Sequence, residues 1–423
     1  MDIKIDKKKK VKSLLLIFFL SLFLRLIFVG SFIGFSADPA TEPEPDAPQY
    51  EEIALNIIEN GEYFQMMSDI RFNAYRPPLF PVFIGGVYKI FGKSRVILRT
   101  VSTIISSLLP CFVFLIAIYL LDYRIALLSG IYTAFYPFYI FYSGLYLTET
   151  LFLSLFYASI LCSIYMVDKL EIKISILSAI TLGLASLTRP VTYPLPFFIV
   201  IAMVLKHGLN KNVIKNFMIF LITFIIVVSP WFLRNYIIFH KLILGDAHGG
   251  QTFYGAYNPG LLKNRKFIGS WYMPPQSELP PKYRYNPRGD SELGQNRMYF
   301  KLGLMFIREY SSHLPYFVWR RFVRFFSFWP SGALYRKLIS LFTYGFLIPF
   351  IVLGIYYLRK DWKKFIIIHL VIFELLMVSL IMVASVRMRN PLDGFFIIFA
   401  FVAITKIWDK LRGKKVEIIK QNK

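Results

Sequence analysis

The stretch SLLLIFFLSLFLRLIFVGSFIGF occupies residues 13–35 and follows the basic segment KKKKVK at residues 7–12. It is almost entirely apolar, and a helix of about 18 or more apolar residues matches the roughly 30 Å hydrocarbon thickness of a bilayer. A cleavable signal peptide would have a shorter apolar run and a small-residue cleavage site. The stretch therefore predicts an uncleaved first transmembrane helix.

Similar apolar runs continue along the whole chain. The 423 residues are 56% hydrophobic and 17% charged, which excludes a disordered, a collagen-like and an ordinary water-soluble protein. The run lengths predict about ten membrane spans, and the predicted fold class is an all-α polytopic membrane protein. After the first, the runs lie near residues 96–120, 124–142, 149–167, 172–188, 192–206, 214–233, 338–358, 364–384 and 392–408.

Lysine and arginine give the chain a formal net charge of +24. Nucleic-acid binding is one explanation, but basic cytoplasmic loops and a site for an anionic substrate explain the excess in a membrane protein. Counting spans from a cytoplasmic N-terminus places the short basic loops inside, together with basic tails at residues 1–12 and 409–423. We therefore predict a multi-pass protein of the cell (inner) membrane, in contact with membrane lipids and not with nucleic acid, with both termini cytoplasmic.

The same topology leaves two long polar segments, residues 36–95 and 234–336, on the extracytoplasmic side. We predict one integral membrane domain over residues 13–408, in which the first segment is an external loop and the second forms a small external cap. Cys111 and Cys162 lie inside apolar runs, so they indicate neither a disulfide framework nor a metal site.

The densest acidic cluster of the chain lies in the external loop 36–95. Its carboxylates belong to Asp38, Glu42, Glu44, Asp46, Glu51 and Glu52. Prolines up to Pro48 forbid a regular helix before that residue, so Glu44 and Asp46 are expected in an extended stretch. Apolar spacing after it predicts an amphipathic helix over Gln49–Asn60, lying on the membrane surface. A solvated acidic loop without a function is the alternative that composition alone favours.

Further ionisable residues stand at the outer ends of predicted spans. They are Glu149, Arg189, Arg234, Arg387 and Arg389. Each arginine alone is explained by anchoring at the membrane interface. Charged groups at helix ends around a common external cavity, in contrast, form a site for an anionic lipid head group that faces an acidic base. The whole set therefore predicts an extracytoplasmic active site.

Several short motifs carry a resemblance to a known family. They are Asp46-Ala-Pro-Gln-Tyr50, Tyr75-Arg76-Pro-Pro, Leu147-Thr-Glu149, Thr188-Arg189-Pro190, Pro230-Trp231-Phe-Leu-Arg234 and Arg387-Met-Arg389-Asn-Pro391. In their order and spacing they resemble C-superfamily (GT-C) glycosyltransferases, specifically the polyprenyl-phosphate-sugar-dependent family of protein O-mannosyltransferases and aminoarabinose lipid A transferases. The resemblance covers Phe23 to about Trp408. It implies a GT-C fold of about ten or more transmembrane helices, with amphipathic helices and a catalytic carboxylate in the first external loop.

The resemblance also suggests roles for single residues. Asp46 matches the acidic position before the helix and would be the general base for the acceptor hydroxyl, with Glu44 and Glu149 as further catalytic carboxylates. Arginine suits the donor phosphate because its planar fork binds phosphate oxygens. The arginines expected there are, in order of preference, Arg387, Arg389, Arg189, Arg234 and Arg76. The implied reaction moves a sugar from polyprenyl phosphate to a hydroxyl of a lipid, glycan or protein, with inversion.

Three further expectations concern the same site. Tyr50 and His248 are candidate contacts to the acceptor or to the surrounding loops, although a turn histidine without function is the simpler explanation for His248. No cofactor is clearly indicated. Asp46 and Glu149 are candidate oxygen ligands of a divalent cation, while capping of its own helix explains Glu149 equally well.

Two other functions use similar residues. A transporter or flippase of an anionic lipid-linked substrate would also have a basic cavity, but transporters usually show internal repeats and bind near the bilayer midplane. A ligase or polymerase of lipid-linked glycans would need a wider groove with the same residue types. The polar groups of this chain collect at one predicted membrane face, which favours the glycosyltransferase over the transporter.

Overall fold

The computed structural model describes residues 6–67, 70–243, 245–330 and 332–413. This part is almost entirely helical, with one antiparallel hairpin of β1 (Gln65–Met67) and β2 (Ile70–Phe72). The predicted all-α class is confirmed. Residues 1–5 and 414–423 of the two predicted tails lie outside the described residues. The first helix begins at Lys7, inside the predicted N-terminal tail 1–12.

Helices account for the apolar spans and for most of the polar segments between them. In chain order they are α1 (Lys7–Phe28), α2 (Ala47–Asn60), α3 (Leu79–Phe91), α4 (Arg95–Ser106), α5 (Leu109–Leu120), α6 (Tyr123–Phe135), α7 (Pro137–Phe141), α8 (Glu149–Lys169), α9 (Ile172–Thr188), α10 (Leu195–His207), α11 (Lys211–Phe239), α12 (Gly249–Ala256), α13 (Gly260–Lys263), α14 (Glu292–Glu309), α15 (Leu314–Phe325), α16 (Leu334–Ser340), α17 (Phe346–Leu358), α18 (Ile366–Ile381) and α19 (Val386–Leu411). Short 3-10 and π-helical turns extend several of them.

The described residues contain seven helices long and apolar enough to cross a membrane, or eight if a bent pair counts as one span. One of the seven, Leu334–Ile381, has 48 residues. A helix of that length would measure about 70 Å, more than twice the bilayer core, and this one breaks at the 3-10 turn Arg359–Phe365. Ile172–Thr188 is apolar but has only 17 residues. The predicted apolar runs are thus helical apart from a few end residues, and the chain is a multi-pass membrane protein.

The bent pair is α6 and α7, which meet at an angle of 48°. Pro137 begins α7 and has no N–H to continue the helix. Arg25, fully buried in α1, donates to the Ala134 carbonyl near this break at 3.3 Å and to the Ser106 hydroxyl at 3.1 Å. The buried Arg25 guanidinium therefore provides a hydrogen-bond donor for a backbone carbonyl at the bend. After the bend, the chain continues toward the start of α8.

A buried ion pair fixes the acidic loop onto the membrane helices. Arg99 of α4 lies 2.8 Å from Glu42, and both side chains are almost fully buried. Glu42 also accepts a hydrogen bond from the Tyr146 backbone N–H at 2.9 Å, and Arg99 donates to the Ala37 carbonyl at 2.9 Å. Glu42 is therefore a structural residue, and its attachment positions the next two carboxylates of the loop.

Replacement of Glu42 by Gln should destabilise the fold strongly, because it leaves the Arg99 guanidinium buried without a charge partner. Breaking such a pair costs about 3–5 kcal/mol. Thermal unfolding in detergent measures the effect. Glu62→Gln is the matched control, since Glu62 pairs with Arg71 at the exposed surface and should change little. Equal stability of the two variants would contradict the structural role of Glu42.

The helix after the acidic loop corrects two expectations. It begins at Ala47 instead of Gln49, because Pro48 falls in the first turn, where a proline is tolerated. Asp46 has helical backbone angles (φ −77°, ψ −26°) and stands directly before the first helical residue, so it does not belong to an extended stretch. The apolar face with Ile53 and Ala54 is buried inside the protein, where α2 packs against α3, and does not lie on lipid.

The segment between α11 and α16, predicted as a cap, has an apolar core of its own. Tyr254 of α12, Phe306 of α14 and Phe317 of α15 are buried in this core. Two contacts join it to the polar segment 36–95: the Ala247 N–H donates to the Ala74 carbonyl at 2.7 Å, and Glu292 accepts from the Ala74 N–H at 3.0 Å. The cap is therefore held against the loop that carries Asp46.

Candidate active site

Four chain segments distant in sequence meet at one end of the membrane helices. Asp46 precedes α2, Glu149 is the first residue of α8, Arg189 follows the last residue of α9, and Arg387 is the second residue of α19. Each side chain sits at a helix end, where a polar group reaches the membrane surface without interrupting an apolar span. The structure thus brings together residues that the sequence placed at one predicted membrane face.

Arg387 is the centre of this cluster. Its Nε donates to Glu149 Oε1, and its Nη1 donates to Glu44 Oε2 at 3.1 Å. The same Nη1 lies 3.5 Å from Asp46 Oδ2. One guanidinium group is therefore shared by three carboxylates.

Two further arginines flank the centre. Arg76 Nη2 donates to Asp46 Oδ1 at 2.6 Å, and Arg189 Nη1 donates to Glu149 Oε1 at 3.1 Å. The Glu149 side chain is only 1% exposed, whereas that of Asp46 is 25% exposed. Glu149 is therefore suited to hold two arginines in place, and Asp46 is open to a substrate.

Glu44 and Tyr50 complete the surroundings of Asp46. Burial raises the pKa of Glu44, and the Arg387 guanidinium acts in the opposite direction. Tyr50 is buried beneath the cluster, with its ring centroid 5.4 Å from the Arg76 guanidinium carbon. The predicted contact residue Tyr50 thus supports the arginine that binds Asp46.

His248 lies on the cap side of the cluster, separated from it by an aromatic ring. Its imidazole centroid is 4.3 Å from that of Tyr75, and the Arg76 guanidinium carbon is 5.1 Å from the Tyr75 centroid. Burial lowers the pKa of His248 to about 3, so the ring is neutral near pH 7. His248 is suited to a neutral contact at the edge of the site.

Two predicted phosphate-binding arginines face elsewhere. Arg389 is buried, with Nε donating to Asp393 Oδ1 at 2.8 Å and Nη1 donating to the Ser327 carbonyl at 2.9 Å. Residues two positions apart in a helix point about 200° apart around its axis, so Arg389 cannot share the cluster with Arg387. Arg234 donates to the carbonyl of Tyr63, which lies just before β1, at 2.7 Å. The structure therefore places both residues outside the Arg387 cluster, and their role at the donor phosphate stays a prediction.

The arrangement of the candidate ligands Asp46 and Glu149 does not fit a divalent cation held between them. Asp46 directs both oxygens to arginines, and Glu149 Oε1 accepts from Arg189 and Arg387. A hard cation needs several oxygen ligands turned toward one point, and here the Arg387 guanidinium occupies the space between them. Within the described residues there is also no group of three or more His, Cys, Asp or Glu side chains placed to hold a metal.

Arg336 was missed at the sequence level. It is exposed at the start of α16, and its positive charge acts on Glu44. The available signal was the same one that indicated Arg189 and Arg387, an arginine at the outer end of an apolar run. It was overlooked because it closes the long basic cap segment 234–336.

Comparisons with known proteins agree with this geometry. The family profile described as "Dolichyl-phosphate-mannose-protein mannosyltransferase" matches residues 75–233, a range that includes Arg76, Glu149 and Arg189. Among curated proteins, no match to the chain is found.

Solved structures of one archaeal enzyme share the fold. The apo oligosaccharyltransferase of Archaeoglobus fulgidus aligns with a TM-score of 0.60 at 14% identity, over 96% of this chain and 51% of the other. The same enzyme, AglB, in complex with an inhibitory peptide and a dolichol-phosphate aligns with a TM-score of 0.56 at 14% identity, over 95% and 51%. The chain spans about half the length of these relatives.

A looser likeness is to ArnT from Cupriavidus metallidurans bound to undecaprenyl phosphate, with a TM-score of 0.42 at 12% identity over 95% of this chain and 78% of the other. The profile match confirms the predicted resemblance over residues 75–233, and the described chain shares the fold of the archaeal oligosaccharyltransferase.

Proposed function

We propose that the chain is a membrane glycosyltransferase that moves a sugar from a polyprenyl-phosphate donor to a hydroxyl group of a lipid, glycan or protein. The observation that carries this proposal is the position of Asp46, a partly exposed carboxylate between Arg76 and Arg387. A base for the acceptor and cations for the donor phosphate are therefore a few ångströms apart.

Asp46 serves as the general base in the proposed reaction. Its carboxylate accepts the proton of the acceptor hydroxyl while the hydroxyl oxygen forms a bond to the anomeric carbon. The bond from that carbon to the phosphate oxygen breaks at the same time, and its electron pair leaves with polyprenyl phosphate. Attack opposite the leaving group inverts the anomeric configuration.

The arginines serve the leaving group. Polyprenyl phosphate departs as a stable anion, so it needs charge stabilisation more than a proton. The planar guanidinium groups of Arg387 and Arg189 can donate paired hydrogen bonds to phosphate oxygens. Glu149 holds both of them, which fixes their orientation before the donor arrives.

We place the cluster on the extracytoplasmic side of the cell membrane, with both termini in the cytoplasm. Helix α8 runs from Glu149 in the cluster to Lys169, and α9 returns from Ile172 to Arg189. The basic residues Lys169, the last of α8, and Lys173, in the first turn of α9, therefore lie at the opposite end of the spans. Short basic loops remain preferentially in the cytoplasm, which supports this orientation.

The archaeal structure supports the donor class. That enzyme, AglB, was solved with a dolichol-phosphate and an inhibitory peptide. A transporter is less compatible with the geometry, because the charged groups gather at helix ends and not near the midplane.

Reconstitution in liposomes tests the proposal. Purified protein receives labelled polyprenyl-phosphate sugars and a mixture of hydroxyl acceptors, and NMR of the product gives the anomeric configuration. We expect sugar transfer with inversion, lost on heat inactivation. Movement of substrate across the bilayer without a new bond would favour the transporter. A product with retained anomeric configuration would contradict direct attack of the acceptor hydroxyl opposite the leaving group.

A further inference from the structure

The charges of the cluster cancel internally. Arg76, Arg189 and Arg387 contact Asp46, Glu149 and Glu44, so three guanidinium groups face three carboxylates. A phosphate that approaches this cluster meets no excess of positive charge. Capture of an anionic donor therefore requires a cation that is not already neutralised.

Arg336 is such a cation. It lies in α16 and, among the described residues, has no carboxylate within 4.0 Å. Its guanidinium carbon is 5.9 Å from the ring centroid of Phe141. The next residue, Tyr142, is buried against the cluster, where the charges of Glu149 and Arg387 act on it. Arg336 thus stands at the edge of the cluster with a free positive charge.

The surface around Arg336 is apolar and exposed. Leu334 is 64% exposed, Tyr335 59% and Phe342 72%. In a membrane protein such side chains contact lipid, and an arginine among them marks the level of the phosphate head groups. Arg336 therefore lies between the exposed apolar surface and the charged cluster.

We propose that Arg336 captures the phosphate of the lipid-linked donor as it enters from the bilayer and passes it to Arg387. The ligand is a phosphate ester whose long apolar chain remains in the membrane against Leu334 and Phe342. This inference rests on the proposed function and adds the step by which the site selects a lipid-borne phosphate over a soluble one.

Kinetics of Arg336→Gln test the capture step. We expect the KM for the donor to rise about tenfold or more, because one charge-assisted contact to phosphate is lost, while the KM for the acceptor is unchanged. Arg336→Lys should recover part of the loss. Lys337→Gln is the matched control, since the Lys337 amine lies 5.7 Å from the Trp329 ring centroid. An unchanged donor KM in Arg336→Gln, or an equal rise in Lys337→Gln, would overturn the inference.

Binding measurements separate a lipid-borne phosphate from a free one. Protein in nanodiscs is titrated with polyprenyl phosphate or inorganic phosphate, and its unfolding temperature is recorded. We expect stabilisation by polyprenyl phosphate that weakens about tenfold in apparent affinity in Arg336→Gln, and no effect of inorganic phosphate. Equal stabilisation by inorganic phosphate would refute the lipid-selective step. Because binding needs no turnover, Arg336 is tested even if the wild type transfers no sugar, a result that would defeat only the proposed reaction.

Discussion

Replacing Asp46 by Asn should lower the turnover number by roughly a hundredfold or more, the usual cost of losing a general base. The amide has nearly the same shape and can still accept a hydrogen bond from Arg76, so the fold should change little, and the loss of one negative charge should not weaken binding of the anionic donor. Single-turnover transfer from a labelled donor gives the chemical rate directly, and the donor KM shows whether binding is preserved.

Two variants of the same loop control this experiment. Asp38→Asn makes the same change at an exposed residue that pairs with Arg95, and it should keep near-normal activity. Glu44→Gln tests the neighbouring carboxylate, which also contacts Arg387. If Glu44→Gln loses activity and Asp46→Asn keeps it, the base has been assigned to the wrong residue.

Replacing Arg387 by Met should lower turnover by about a hundredfold to a thousandfold, comparable to the loss of one preorganised donor in a transition state. It should also lower the free energy of unfolding, because Glu149 is buried and loses one of its two arginines. Arg387→Lys should remain well below wild type, since a point charge cannot reach Glu149 and Glu44 together.

Arg359→Met controls for the loss of a positive charge. Arg359 is exposed at the far end of α17 and stacks over Tyr356. Its replacement should leave turnover unchanged. Thermal unfolding of each variant separates a folding defect from a catalytic one: if Arg387→Met is stably folded and transfers sugar at the wild-type rate, the arginine does not serve the leaving group.

The sequence predicted the spans and the clustering at helix ends well, for physical reasons. Apolar runs of bilayer length leave little choice of structure, and residues at the outer ends of spans must lie at one face once the order of the spans is known. Glu149, Arg189 and Arg387 therefore meet as expected, although no two of them are neighbours in the chain.

The sequence did not show which way each side chain points. Arg387 and Arg389 are two residues apart, and only the helical rotation of α19 decides that the first enters the cluster and the second pairs with Asp393. Nothing local distinguishes Glu42 from Glu44 either. The partner of Glu42 is Arg99, in another helix, so its structural role depends on packing between distant segments.

Accessibility labelling tests the central claim most directly, namely that the acidic loop and the span-end arginines share one extracytoplasmic face. With Cys111 and Cys162 replaced by Ser, single variants Glu44→Cys, Arg336→Cys and Lys173→Cys are treated in intact cells with a membrane-impermeant thiol reagent. We predict that positions 44 and 336 react from outside, and that position 173 reacts only after permeabilisation. Reaction of positions 44 and 336 from opposite sides of the membrane would contradict the shared site.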